Sequence, residues 1–193
     1  MRFYKLTVRS LAILLLSLSL AVAQSSQPKH EPDVPYVPTT EAAVKAMLKL
    51  AEVKRTDIVY DLGCGDGRIV IAAAKEYGAH GVGIDINPER IAEAKENARK
   101  AGVENLVRFE EKDLFDADIH DANVVTLFLL GSVNLKLRPK LLKDLKPGTR
   151  VVSNTFGMGD WKPDKELRVG DPVEGFSLSH KLFLWIIPQR SER

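Results

Sequence analysis

The sequence predicts an α/β protein, a doubly wound and mostly parallel sheet with helices on both faces. Three observations predict it. Short, near-continuous apolar runs alternate with stretches of helical periodicity from about residue 40 onward. A glycine loop, Gly63-Cys64-Gly65-Asp66-Gly67, joins the first such run to a helix. Cap and turn residues stand at the boundaries, among them Thr40, Asn87-Pro88, Gly102 and Pro147-Gly148.

Before the alternation begins, the chain opens on a leader. Arg2, Lys5 and Arg9 form a basic start, Leu11 to Val22 an apolar stretch, and Ala21-Val22-Ala23 a small-x-small site before Gln24. The apolar run falls short of the roughly 20 residues that span a bilayer. Residues 1–23 therefore read as a cleaved signal peptide, with an uncleaved anchor second and a misassigned start codon third. Either of the first two places the domain outside the cytoplasm, exported or membrane-attached, with the membrane touched only through the leader. Residues 24–38 hold Pro28, Pro32, Pro35 and Pro38 among polar neighbours and read as an extended tether. The domain proper is expected over 39–193.

Thr40 is the expected N-cap of a helix to about Ala51, whose Val44, Met47, Leu48 and Ala51 share one face. Ile58-Val59-Tyr60 is the first strand, and a helix from about Arg68 to Tyr77 follows the glycine loop. Gly81 to Ile86 is the second strand. Asn87 and Pro88 supply the cap and first position of a helix that carries Ile91, Ala94 and Ala98 inward and stops at Gly102. Val107-Arg108-Phe109 is a third strand and Asn123 to Leu130 a long apolar fourth. A helix from Leu135 to Leu145 ends before Pro147-Gly148; Arg150 to Ser153 is a fifth strand, and Lys181 to Ile187 a last one. Gly157 to Ser179 carries no clear pattern.

Composition is ordinarily globular, 45% hydrophobic and 28% charged. The formal charge of +2 misleads. Three of the 28 basic residues and none of the 26 acidic ones lie in the first 23 positions, so the remainder carries 25 basic against 26 acidic residues. No nucleic-acid partner is expected from that balance. Cys64 is the single cysteine, so no internal disulfide exists, and its role reads as loop packing rather than nucleophile. His30, His80 and His120 lack metal-ligand spacing, and no metal site is expected.

The chemistry concentrates in the glycine loop. Glycine permits positive φ and lets a ligand lie against bare backbone, while amides at a helix start are unpaired donors. The spacing is G-x-G-x-G, not the G-x-G-x-x-G of dinucleotide sites, which disfavours a nicotinamide oxidoreductase. Asp61-Leu62-Gly63-Cys64-Gly65-Asp66-Gly67 resembles the first motif of class I S-adenosylmethionine-dependent methyltransferases, almost residue for residue. That resemblance implies a Rossmann-like sheet with an antiparallel C-terminal strand and S-adenosyl-L-methionine as cofactor. It implies that Gly63, Cys64, Gly65 and Gly67 lie under the methionine part and that Asp61 meets the amino group. Asp85, eighteen residues past Gly67 and beside Ile86, would take both ribose hydroxyls, since a carboxylate can accept from two donors. Asp113, with Leu114, would receive the adenine amino group.

A narrower resemblance lies outside those motifs. Pro35-Tyr36-Val37-Pro38-Thr39 and Leu129-Leu130-Gly131-Ser132-Val133-Asn134 resemble segments of the ATP synthase c-subunit lysine methyltransferases and of the non-SET histone-lysine methyltransferases. It implies that Tyr36 and Thr39 reach over the cofactor and that Asn134, with Tyr36, orients the acceptor. A packed aromatic and a helix N-cap are the plain structural roles for Tyr36 and Asn134. Trp161 and Trp185 are further acceptor-pocket candidates, Trp185 reading better as core. The Asn-Pro-Pro-Tyr signature of amide and exocyclic-amine methyltransferases is absent after the fourth strand, and the basic substrate-binding segments of the histone enzymes are not found here, so a chromatin substrate is not expected. The expected activity is N-methylation of a protein with an exposed lysine. A small-molecule acceptor and a cofactor-binding protein without catalysis are the alternatives. Oligomeric state is not legible.

Overall fold

A computed structural model describes residues 36–170 and 180–189. The leader and most of the tether therefore lie outside the described residues. Among the described residues, four helices and seven strands follow in the order α1 (Glu41–Leu50), β1 (Ile58–Leu62), α2 (Arg68–Tyr77), β2 (His80–Asp85), α3 (Pro88–Ala101), β3 (Val107–Glu111), β4 (Val124–Leu127), α4 (Gly131–Asp144), β5 (Arg150–Asn154), β6 (Lys165–Val169) and β7 (His180–Ile186).

The strands form one sheet in the order β3-β2-β1-β4-β5-β7-β6. β3, β2, β1, β4 and β5 are parallel, and β7 runs antiparallel between β5 and β6. After β3 the chain crosses back to lay β4 on the free side of β1. The strand order reverses there, and a crevice opens at the carboxyl ends of β1 and β4. The α/β, doubly wound and mostly parallel reading holds, with helices on both faces. Val44, Met47, Val70, Ala73, Ala94 and Ala98 from α1 to α3 fill one side. Tyr60, Leu62, Leu137, Leu141 and Trp185 fill the other, under α4.

Local signals account for most boundaries. Thr40 Oγ1 accepts from Ala43 N at 3.3 Å, and Asn87 Oδ1 accepts from Glu89 N at 2.8 Å with Pro88 opening α3. Gly78 and Gly102 close α2 and α3 in the left-handed conformation.

Three expectations need correction. β4 stops at Leu127 rather than Leu130, and α4 begins at Gly131 rather than Leu135. Leu130 is the N-cap, without a side-chain cap bond, so nothing in its chemistry marks the start. Asn134 consequently sits inside the first turn of α4 and caps nothing; its N–H bonds Leu130 O at 3.0 Å. The third correction is β6, unseen in the poorly patterned stretch after Gly157. Lys165 to Arg168 are all exposed, as an edge strand allows, and within the strand only Val169 packs against the core, so no apolar alternation marks it.

Candidate active site: three carboxylates around a glycine loop

β1 delivers Asp61 and then the loop; β2 delivers Asp85 and β3 leads to Asp113. All three line one cavity of about 350 Å³ at the carboxyl ends of the strands. Tyr36, Thr39, Gly63, Cys64, Gly65, Ile86 and Leu114 line it too.

The loop turns tightly through Gly63 (φ 83°), Gly65 (φ 52°) and Gly67 (φ 79°). Four of the five amides from Gly63 to Gly67, however, donate within the protein, contrary to the expectation of free donors. Gly63 N and Cys64 N both donate to Ile84 O (2.8 and 2.9 Å), and Gly67 N donates to Cys64 O at 2.9 Å. Gly65 N donates to Asp85 Oδ2 at 2.8 Å. The glycines of the loop thus offer close approach rather than an anion cradle. Gly67 is not among the cavity-lining residues; a Cβ there would stand 2.7 Å from the Phe109 ring and 2.9 Å from Ala94. Its bareness serves packing of α2 and α3 onto the sheet.

Asp61 is 3% exposed, and its Oδ1 accepts from Thr126 Oγ1 at 2.7 Å across the β1–β4 register. Burial pushes its carboxyl up to about 7 against the lowering pull of the Thr126 hydroxyl, and Asp85 and Asp66 add to the rise. Among the described residues, no cation is one of the groups acting on it. Such a carboxylate on a cavity wall is matched by a cationic ligand group. Thr126 has no legible role in the sequence: a lone hydroxyl in an apolar strand gains meaning only from the pairing register.

Asp85 Oδ1 accepts from Asn87 N at 2.9 Å, so both of its oxygens carry one backbone donor. Each keeps a further lone pair, enough for two vicinal hydroxyls. Asp113 Oδ1 accepts from Phe115 N at 2.8 Å. Ile86 and Leu114 stand as apolar neighbours to these two acids along the cavity. Cys64 is buried with its thiol pushed far up, first by burial and then by Asp61 and Asp85, which rules against a thiolate there.

The 36–39 segment closes the cavity's outer side. Tyr36 lies so near Gly65 that a Cβ at Gly65 would be 2.4 Å from Tyr36 Cε2. The Arg90 guanidinium sits 4.7 Å from the Tyr36 ring centroid. Burial, then the charge of Asp66, raises the Tyr36 phenol. Arg68 holds Asp66 at 2.5 Å and donates from Nη1 to Thr39 O at 2.7 Å. Burial alone would lift Asp66, but the Arg68 bonds and charge hold it below the usual carboxylate range. Asp66, Arg68 and Arg90 carry no sequence signal for this role, since the segment they clamp returns from 27 or more residues upstream. Gly65→Ala is expected to push Tyr36 off the loop, weaken ligand binding about tenfold and cost about 1–2 kcal/mol for a left-handed alanine; calorimetry and thermal melting check both.

Asn134, Trp161 and Trp185 do not line the cavity. Asn134 is wholly buried beside it, and Phe128, Leu129 and Val133 form the wall on that side. Trp185 is wholly buried, with Nε1 donating to Trp161 O at 2.9 Å.

Known proteins resemble this chain in sequence and fold. Residues 61–165 match the model of the ANTKMT methyltransferase domain. A protein-lysine N-methyltransferase of Saccharolobus islandicus is 49% identical over 82% of this chain and 96% of its own length. The ATP synthase c-subunit lysine N-methyltransferase of Xenopus laevis is 39% identical over 68% of this chain, which spans 57% of that protein. Among solved structures, a Salinibacter ruber protein described as an RNA methyltransferase in complex with S-adenosyl-L-homocysteine is 51% identical. It superposes with a TM-score of 0.74 over 81% of this chain and 97% of its own.

Proposed function

The chain belongs to the ANTKMT methyltransferase-domain family, it is an S-adenosylmethionine-dependent methyltransferase, and we propose that its acceptor is the ε-amine of a protein lysine. The observation that carries the cofactor reading furthest is Asp61, a buried carboxylate on the cavity wall with no cation of the described residues acting on it. S-adenosylmethionine, when bound, supplies an ammonium group and an electrophilic methyl on a sulfonium, two positive centres for this acidic cavity.

In this reading Asp61 takes the ammonium, and Gly63, Cys64 and Gly65 let the methionine part lie on the backbone. Asp85 accepts from the ribose hydroxyls, and Asp113 accepts from the adenine amino group between Ile86 and Leu114. Tyr36 and Thr39 cover the assembly. With the acids on β1, β2 and β3, the β4 side is left for the acceptor. Phe128 and Leu129 wall that side with apolar surface, which desolvates an incoming ammonium and lowers its pKa toward the neutral amine. A neutral amine held there would take the cofactor's methyl in line: the N–C bond would form as the S–CH3 bond breaks, the sulfur keeping that electron pair as a neutral thioether, and the amine's surplus proton would leave to water. Positioning supplies most of such an acceleration.

Lysine is favoured by the names of the Saccharolobus and Xenopus relatives. An RNA acceptor, named for the Salinibacter protein, finds no surplus of positive charge beyond residue 23. The test offers methyl-labelled cofactor with extracted protein, RNA and small-metabolite fractions. Label recovered as Nε-methyllysine is expected. Label in RNA or a small molecule overturns the lysine reading; binding without transfer to any fraction overturns catalysis.

We further propose that residues 1–23 direct the chain out of the cytoplasm or attach it to the membrane, and that 24–38 tether the domain to them. The basic-apolar-small pattern of the leader supports this. Cell fractionation with N-terminal sequencing is expected to find the protein exported or membrane-bound. A soluble cytosolic chain that keeps Met1 overturns it.

A further inference from the structure

We propose that the turn at residues 154–158, held in place by Asn134, is the acceptor-side wall of the active site, and that Phe156 and Leu130 grip the alkyl chain of the target lysine. The proposal rests on the lysine reading above.

Asn134 is wholly buried on α4, and its Nδ2 donates to Phe156 O (3.1 Å), Ser153 Oγ (3.2 Å) and Gly157 O (3.4 Å). Ser153 Oγ itself donates to Phe156 O at 2.7 Å, so all three groups present lone pairs to the amide. That fixes the amide's orientation and leaves its Oδ1 buried without a hydrogen-bond partner among the described residues. An isosteric leucine would avoid the stranded carbonyl and lose only the bonds to the turn. A residue that tolerates one unmet acceptor in order to hold three backbone and side-chain acceptors is placed to fix the turn.

The turn is also strained. Thr155, β-branched and not glycine, has φ 70°, and Phe156 N bends back to Asn154 O at 2.8 Å. Strain of this kind persists where the surroundings over-determine it, and it gathers at functional sites. Here Thr155 N donates to Lys181 O at 2.7 Å, and Arg138 Nη1 donates to Met158 O at 3.1 Å.

Its position is what a wall for the acceptor requires. The turn follows the carboxyl end of β5, beside β4, whose Leu127 pairs with Ser153. Phe156 Cδ1 stands 3.9 Å from where a Cβ at Gly131 would be, two residues past cavity-lining Leu129. Leu130 is 37% exposed and Phe156 half-buried, so both have surface to offer. Neither lines the cofactor cavity, as befits groups that meet the acceptor and not the cofactor. Asn134 is then a positioning residue acting through the turn.

The test measures initial rates against concentration of extracted protein and of poly-L-lysine, with labelled cofactor, beside cofactor affinity by calorimetry. Phe156→Ala and Leu130→Ala are expected to raise the half-saturating acceptor concentration at least fivefold while cofactor Kd stays within twofold. Phe156→Leu restores most of the loss. Asn134→Asp, isosteric but without the donors, is expected to show the same split and faster hydrogen exchange at residues 154–158. An unchanged half-saturation in both alanine variants overturns the proposal, as does an equal rise in cofactor Kd. Transfer by the unmodified protein to RNA or a small molecule alone, or to nothing, overturns the lysine reading beneath it, whatever the variants do.

Discussion

Replacing Asp61 by asparagine is expected to weaken S-adenosylmethionine binding by about 2–5 kcal/mol, on the order of 30- to 5,000-fold. The substitution is isosteric, and an amide oxygen can still accept from Thr126 Oγ1, so the cavity keeps its shape while the charge is lost. The same carboxyl predicts a pH profile. Burial pushes it up to about 7 in the free protein, and only its ionised form attracts an ammonium. Cofactor Kd should therefore rise tenfold per unit as pH falls below 7, with a proton released on binding there. Asp61→Asn should abolish the slope. Calorimetry in buffers of different ionisation enthalpy reads both; a pH-independent Kd between 5 and 8 in the unmodified protein would sink the assignment.

The sign for stability runs the other way. The folded state holds the Asp61 proton up to about pH 7, whereas the unfolded chain releases it near the ordinary aspartate value of 3.8. Between those values the native state binds more protons, so this group's contribution falls as pH rises through the window. Without cofactor, Asp61→Asn should be the flatter of the two in that range. Saturating cofactor should offset the loss in the unmodified protein alone.

Trp185→Ala is expected to cost about 3–5 kcal/mol, the range for removing a fully buried large aromatic. Among the described residues Trp185 is the largest wholly buried side chain, its ring centroid 5.7 Å from both Phe183 and Trp161. The substitution also leaves Trp161 O without its indole donor. Trp185→Phe keeps most of the packing and should cost about 1 kcal/mol for the hydrogen bond. Urea unfolding measures both; a loss under about 1 kcal/mol for the alanine variant would mean the α4 side of the sheet repacks freely. The consequence reaches the site, because Trp185 ties β7 to the segment that follows the 154–158 turn.

The parts of the site legible in the sequence are those written in short, local patterns. Asp61, Gly63, Gly65 and Asp85 lie within one strand-loop-helix-strand unit, and the structure brings them to one cavity as that unit folds. Tyr36 and Thr39 rest on a resemblance, and they line the same cavity. What holds them is not legible: Asp66, Arg68 and Arg90 acquire that task only once a segment far upstream returns across the loop. For Asn134 the sequence leaves a cap and an acceptor-orienting group both open. It is neither a cap nor a cavity residue, because α4 begins four residues earlier than its apolar pattern does.

The sequence by itself determined the alternation of strands and helices, most of their ends, and the loop that places glycine where the backbone turns left-handed. These depend on side-chain periodicity, caps and φ preferences, all of which act within a few residues. Tertiary structure alone decided that the Gly63, Cys64 and Gly65 amides are consumed by Ile84 O and Asp85. It alone set Asp61 against Thr126, gave Lys165–Val169 a strand partner in β7, and closed the 154–158 turn over Asn134. The reason is common to all four. Each is a pairing between residues whose spacing in the chain carries no information about their distance in space, so it exists only once the sheet register is set.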